Sequence, residues 1–319
     1  MKKKLVSLLL VTAMSVTALA GCGSKADGTE GSKKEDKKEA DKLQVVTSFY
    51  PMYDFAKKVT GDKAEVTVLT EAGVEPHDYE PSAKDLAKIQ NADVFIYNSN
   101  EMETWVRDVL ASIDTKKVKV IEASQGIDLM EATEEHEHEG EASHDHQLDP
   151  HVWLDPVLAK KEVETITKGL VEVDTPNKDI YEKNSTDFTQ KLNKLNEAYV
   201  DATKDATQKT FVTQHTAFSY LAKQYGLKQV AISGISPDQE PTPKELKNIE
   251  DLVKKDNIKV IYTESSASSK VAETITSATG ATLSELNPLE SLTKKEMDGG
   301  EDYLSVMYTN LEHLKLTIK

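Results

Sequence analysis

The 319-residue chain predicts an α/β fold of two lobes, each a parallel sheet flanked by helices, joined by one long backbone helix. Three observations lead there. Short apolar runs alternate with amphipathic segments in both halves of the chain, as in successive βαβ units. About 275 residues remain beyond an N-terminal leader and tether, more than one hydrophobic core usually serves. Between the two alternating halves, one apolar stripe keeps helical spacing for about thirty residues.

The N-terminus stands apart from that fold. Met1-Lys2-Lys3-Lys4, an apolar run over 5–20 and small residues before Cys22 have the form of a secretory leader, placed at residues 1–21. The run is short for a membrane span and rich in Thr, Ser and Ala. Leu19-Ala20-Gly21-Cys22 resembles the bacterial lipobox, which implies cleavage before Cys22, a lipid on its thiol and attachment to the extracytoplasmic face of the cell membrane. Cys22 is the single cysteine, so no intramolecular disulfide is available and stability rests on the core. Residues 23–42 mix Lys, Glu, Asp, Gly and Ser and extend Cys22 into a flexible tether over 22–42. Loss of residues 1–21 removes three lysines and no acid, which takes the net charge from −16 to −19. That charge argues against a nucleic-acid partner and suits either cations or plain solubility.

The N-terminal lobe is assigned residues 43–174. Strands are predicted at 43–48, 65–69, 93–97 and 118–121, each a short apolar or β-branched run. Helices are predicted at 53–59 behind Pro51, at 83–90, at 102–113 with Trp105 and Val109 on one face, and at 157–170. Ser82 with Asp85 makes a capping box for the second of these. Gly73, Pro76 and Pro81 mark residues 71–81 as a loop.

Thr175-Pro176 opens the linking helix, assigned 175–207, with Pro at its first position. Tyr181, Phe188, Leu192, Leu195, Tyr199, Ala202 and Ala206 recur along it at spacings of 7, 4, 3, 4, 3 and 4. A coiled-coil dimer would give the same stripe, but a strut packed across both lobes of a monomer is the preferred reading. The C-terminal lobe, 208–319, repeats the alternation: strands at 210–213, 229–233, 259–263 and 282–286, and helices at 216–224, 243–255, 269–279 and 303–314. Thr242 and Glu245 form another capping box, and Gly226 and Gly280 close their helices.

Histidine placement carries the chemistry. Five of the eight histidines fall within 136–155. His136, His138, His144 and His146 alternate with acids and small residues in a loop placed at 131–148, a composition that captures zinc or copper weakly and in several arrangements. His151 differs, because Asp149-Pro150-His151-Val152-Trp153-Leu154-Asp155-Pro156 promises a fixed backbone. In open parallel sheets ligands bind beyond the carboxyl ends of strands. His77 follows the strand ending at 69, His215 the strand ending at 213 and Glu290 the strand ending at 286. If the lobes face each other, three imidazoles and one carboxylate meet in the cleft, a closed tetrahedral set suited to Zn2+, whereas Mn2+ favours more oxygen. Plain readings exist for each: a surface loop for His77, a helix cap for His151, a satisfied strand end for His215, and one more abundant acid for Glu290, with Glu264 or a water as its rival. His313 reads as structural or exposed.

Four segments also carry a family resemblance. Gly73-Val74-Glu75-Pro76-His77-Asp78-Tyr79-Glu80-Pro81-Ser82, the 149–156 segment, Gln214-His215-Thr216-Ala217-Phe218 and Asn287-Pro288-Leu289-Glu290 resemble the metal-site segments of bacterial metal-receptor lipoproteins of ABC transporters, solute-binding protein family 9. The resemblance spans nearly all of the chain beyond the tether. It implies two α/β lobes joined by a long helix, metal bound between them, and delivery of that metal to a membrane permease. A histidine at the third ligand position, here His215, and a His-rich acidic loop before the second are features of the zinc branch; the manganese branch has a carboxylate there. The expectation is therefore a non-enzymatic zinc receptor. Its rivals are a receptor for manganese or another divalent metal, a zinc hydrolase using three histidines and a water, and a surface adhesin. No His-Glu-x-x-His helix and no nucleophile elbow supports the hydrolase.

Overall fold

Both halves of the chain form the parallel sheets that the alternation predicts. The computed structural model describes residues 42–132, 147–265 and 267–318. The leader, Cys22, the tether up to residue 41, and His136, His138, His144 and His146 lie outside the described residues. The first sheet comprises β1 (Leu43–Thr47), β2 (Ala64–Val68), β3 (Val94–Tyr97) and β4 (Lys119–Glu122) in the order β2-β1-β3-β4, every pair parallel. The second comprises β5 (Thr210–Thr213), β6 (Lys228–Ala231), β7 (Val260–Thr263) and β8 (Thr282–Glu285) in the order β6-β5-β7-β8, again parallel. Helices α1 (Tyr50–Thr60), α2 (Ala83–Asn91) and α3 (Val106–Ser112) cross over in the first half. Then come α4 (Pro156–Val173) and α5 (Lys178–Thr203), followed by α6 (Ser219–Gln224), α7 (Pro243–Lys255), α8 (Lys270–Thr279), α9 (Lys294–Asp298) and α10 (Tyr303–Leu314).

The period-2 alternation of each strand divides its side chains between two apolar layers. Val45, Val94 and Ile96 point into a central cluster, while Val46, Phe95 and Tyr97 point into a smaller one shared with Ile89, Val106 and Val109. The second sheet does the same: Phe211, Val260 and Tyr262 face the central cluster, and Val212 and Ile261 face Ile249, Val253 and Ile275. The central cluster takes residues from both sheets and from α4, α5 and α10. The two lobes thus share one core instead of meeting across a polar seam, and both sheets belong to a single compact unit.

Helix α5 is that core's spine. Tyr181, Phe188, Leu192, Leu195 and Tyr199 are buried along one stripe, as the spacing predicts. Its 26 residues give a length of about 39 Å at 1.5 Å per residue. A 3-10 turn at Thr175–Asn177 precedes it, so the helix is shorter than the predicted span, and Ala206 is buried just past its end. The Tyr199 hydroxyl donates to the Met307 carbonyl at 2.9 Å, which fastens α5 to α10.

Other departures have local causes. Helix α1 begins at Tyr50 with Pro51 inside its first turn, where a missing N–H leaves no bond unmade. Helix α3 starts only at Val106, because the Glu103 carboxylate takes the backbone N–H groups of Asn98 and Ser99 and the Ser99 hydroxyl takes that of Met102. Helix α6 starts at Ser219, because Thr216 N donates to Gly234 O and Ala217 N to His215 O in the turn that seats His215. The unpredicted α9 is one capped turn, with Thr293 and Glu296 forming its capping box. No helix among the described residues is long and apolar enough to cross a membrane.

Candidate metal centre

Strand order reverses between β1 and β3 in one sheet and between β5 and β7 in the other, and the polar groups gather at those four carboxyl ends. Beyond β1 and β3, Ser48 and Asn98 hold the buried Glu103 carboxylate, and Asn98 Nδ2 donates to Pro150 O at 2.9 Å. That contact supports the segment carrying His151. Beyond β5 and β7 stand His215 and Glu264.

Each candidate side chain is aimed by a short-range turn. Asp149 Oδ1 accepts from His151 N at 2.9 Å, an Asx-turn, and the same oxygen takes His151 Nδ1 at 2.8 Å. Glu75 Oε1 accepts from His77 N at 3.0 Å in an analogous i to i+2 contact. Asn287 Oδ1 accepts from Leu289 N at 2.7 Å, and Asn310 of α10 brackets Asn287 by bonding both its N–H and its carbonyl. Leu289, fully buried, is forced to φ 59°, a left-handed conformation that a branched side chain avoids. The strain turns Glu290 toward the histidines.

His77, His151, His215 and Glu290 converge. One ligand atom from each lies within 4.8 Å of the others. Glu290 Oε1 stands 3.3 Å from His77 Nε2, 3.1 Å from His151 Nε2 and 3.1 Å from His215 Nε2. His151 Nε2 stands 3.2 Å from His77 Nε2 and 3.4 Å from His215 Nε2. A tetrahedron with vertices about 2.0–2.1 Å from a central zinc has edges of about 3.3–3.4 Å. The five separations match that figure. They do not suit ordinary hydrogen bonding: with the Nδ1 protons of His151 and His215 given to Asp149 and to Glu264 Oε1 at 2.7 Å, both Nε2 lone pairs face inward beside a carboxylate. Only a cation, metal ion or proton, relieves that arrangement.

The surroundings favour the cation further. His151, His215 and Glu290 are fully buried, and His77 is half-buried. Glu75, Asp149, Glu264 and Glu290 each present a second, buried carboxyl oxygen with no protein partner. Burial, reinforced by Glu290, pushes the Glu75 carboxyl up to about 8. Burial also raises Glu290, but His215, His151 and His77 outweigh it and hold that carboxylate well below its usual range. Burial lowers His77. It acts the same way on His151 and His215, where Asp149 for the one, Glu264 for the other and Glu290 for both prevail, leaving His151 raised and His215 raised well above 6.5.

The family described as zinc-uptake complex component A, periplasmic (ZnuA), matches residues 45–316. The chain belongs to this family. Among relatives, the high-affinity zinc uptake system protein ZnuA of Bacillus subtilis is 50% identical over 311 residues, 96% of each chain. The zinc-binding lipoprotein AdcA of Streptococcus pneumoniae is 50% identical over 319 residues, 98% of this chain but 61% of AdcA, so this chain spans less than two thirds of that relative. In structure, the zinc(II)-bound ZnuA-like domain of S. pneumoniae AdcA is 48% identical with a TM-score of 0.75, covering 86% of this chain and 98% of that one.

Within this ZnuA-family chain, the four residues expected from sequence to meet in the cleft are the four brought together. Glu264, the rival to Glu290, holds the outer nitrogen of His215 instead. His313 is half-buried on α10, its Nδ1 on Glu285 O at 2.7 Å, away from the cluster. The structure also reveals Asp149, Glu264, Glu103 and Asn310 as supports, none of them singled out for that role in the sequence. The spacing Asp149-x-His151 was the available signal, since an acid two residues ahead of a histidine can reach both its N–H and its ring.

Two expectations follow. With His215 and His151 raised, the metal-free chain holds protons there to a higher pH than free imidazole does. Zinc uptake near neutral pH should release a proton, and affinity should fall as pH drops below the raised values and level off above them. Those same protons stabilise the metal-free fold fully below about 6.5 and less as pH rises through the folded values. Titration calorimetry in two buffers of different ionisation heat reads the proton directly, and identical heats would contradict it. Glu264→Gln, which leaves His215 without its carboxylate, should weaken zinc binding by about 10–100-fold in a chelator competition; unchanged affinity would remove Glu264 from the site.

Proposed function

We infer that this chain is an extracytoplasmic zinc-binding receptor that delivers Zn2+ to the membrane permease of an ABC-type importer, with His77, His151, His215 and Glu290 as the ligands of the transported ion. The observation that carries this reading is the convergence of four side chains, one ligand atom of each within 4.8 Å of the others, with Nε2 of His151 and His215 turned toward Glu290. Four ligands leave no position for a reactive water, which favours carriage over the catalysis of an open zinc site. Three imidazoles and one carboxylate favour zinc over manganese. The names of the relatives, a zinc uptake protein and a zinc-binding lipoprotein, support the same cargo.

In this reading, residues 1–21 direct export, a lipid on Cys22 anchors the chain, and residues 22–42 let a monomer reach its permease. His136, His138, His144 and His146 raise local zinc occupancy without forming the tight site. Lobe 43–174, linking helix 175–207 and lobe 208–319 share one core, so capture and release proceed by local loop shifts and not by a wide hinge. The permease must then pull ligands away from the ion, because a filled four-ligand shell releases it slowly.

Calorimetric titration of the metal-free full chain with Zn2+ and Mn2+, beside a variant lacking residues 136–146, tests this. One tight zinc site should survive the deletion, the weak additional sites should vanish with it, and manganese should bind less tightly. Loss of the tight site on deletion would refute the ligand assignment.

A further inference from the structure

The four ligands are not held alike. His151, His215 and Glu290 are fully buried, on segments packed into the protein on all sides. His77 comes from the 71–81 loop, in which residues 71–74 are all exposed and Val74 retains 42% of its surface. Most backbone hydrogen bonds of that loop are internal: Val74 N to Glu71 O, Tyr79 N to Pro76 O, and His77 N to Glu75 Oε1. One reaches the opposite lobe. Gly73 N donates to Ser291 Oγ at 2.7 Å, across 218 residues of sequence. Gly73 lies at φ +79°, a conformation that side chains other than hydrogen disfavour, and this turn aims its N–H at the hydroxyl. Asp78 and Asp238 also meet across the lobes, where a hydrogen bond between the two carboxyls raises Asp238, but that contact lies at the exposed rim and not beside Glu290.

Ser291 is the residue directly after Glu290 and is itself buried. Its hydrogen bond therefore joins the two segments that carry one ligand each from opposite lobes. Any motion that lifts the 71–81 loop as a unit away from the Glu290 segment must break it. On release the Gly73 amide can exchange this partner for water, since residues 71–74 already face solvent.

We propose that Ser291 is a positioning residue that latches the metal site: its hydroxyl holds the His77 loop closed through Gly73 and sets the rate at which the ion leaves. This rests on the receptor reading above. The latch acts on release more than on capture, because the bond forms only when both segments are in place. His77 is then the first ligand to let go, and the loop that bears it is the natural point of attack for the permease.

Stopped-flow transfer of Zn2+ from the loaded full chain to excess 4-(2-pyridylazo)resorcinol tests the proposal. Ser291→Ala should release zinc about three- to tenfold faster, the factor carried by one neutral hydrogen bond. Ser291→Thr, which keeps the acceptor, should restore the wild-type rate, which a merely structural loss would not predict. A wild-type rate in Ser291→Ala, or equally fast release from Ser291→Thr, overturns the latch. Independently of any variant, amide exchange by NMR in the loaded wild-type chain should find Gly73 protected beside a fast-exchanging Ala72; equal exchange at both also overturns it. A wild-type chain with no tight zinc site would overturn the receptor reading itself, and is distinguishable because it fails before any variant is compared.

Discussion

The site depends on a set of acceptors turned toward one another in a buried place. Nitrogen lone pairs of His151 and His215 face Glu290 Oε1 at 3.1 Å each, with their own protons committed outward to Asp149 and Glu264. Left without positive charge, such a cluster is strongly unfavourable in a medium of low dielectric. Against the cost of burial, Glu264 and Glu290 hold His215 well above its ordinary range, and the three histidines hold Glu290 well below. A divalent ion held by all four groups would satisfy these acceptors at once.

The fold supplies the fixity. Strand-order reversals put the carboxyl ends of β1, β3, β5 and β7 around one space, and a core common to both lobes keeps those ends facing each other. Polar contacts then tie the lobes beside the site. Trp153 Nε1 donates to Pro288 O at 2.8 Å, Tyr303 Oη to Trp153 O at 2.6 Å, and Tyr220 Oη to Asp149 O at 2.7 Å. The local strain at Leu289 is sustained by the Asn287–Asn310 bracket, so distortion near the ion is offset by well-made bonds away from it. A core shared by both lobes leaves little freedom for large closure.

Much of this was legible in the residues themselves. Every predicted strand forms, from the fully buried Val94–Tyr97 to the largely exposed Thr282–Glu285, each a short β-branched or apolar run between turn signals. The α5 stripe and the Ser82 and Thr242 capping boxes were legible because spacing and residue type decide them locally, whereas the four converging side chains were expected from their places after strand ends and from the family resemblance. What the sequence hid are effects that need a partner distant in the chain. The shortened starts of α3 and α6 arise from Glu103 and His215 drawing the backbone away from helix, and neither demand is visible in the helical periodicity. The role of Glu264 depends on β5 lying beside β7, and that of Asn310 on α10 folding back over residue 287. Two lobes were foreseen, but not that they share a single core, since chain length does not say where apolar faces meet.

X-ray absorption at the zinc edge of the loaded full chain reads the coordination shell itself. Three imidazole nitrogens and one oxygen at about 2.0–2.1 Å are expected, a four-coordinate shell with the outer-shell scattering of three histidine rings. A five- or six-coordinate shell dominated by oxygen, or scattering from fewer than three imidazoles, would contradict it.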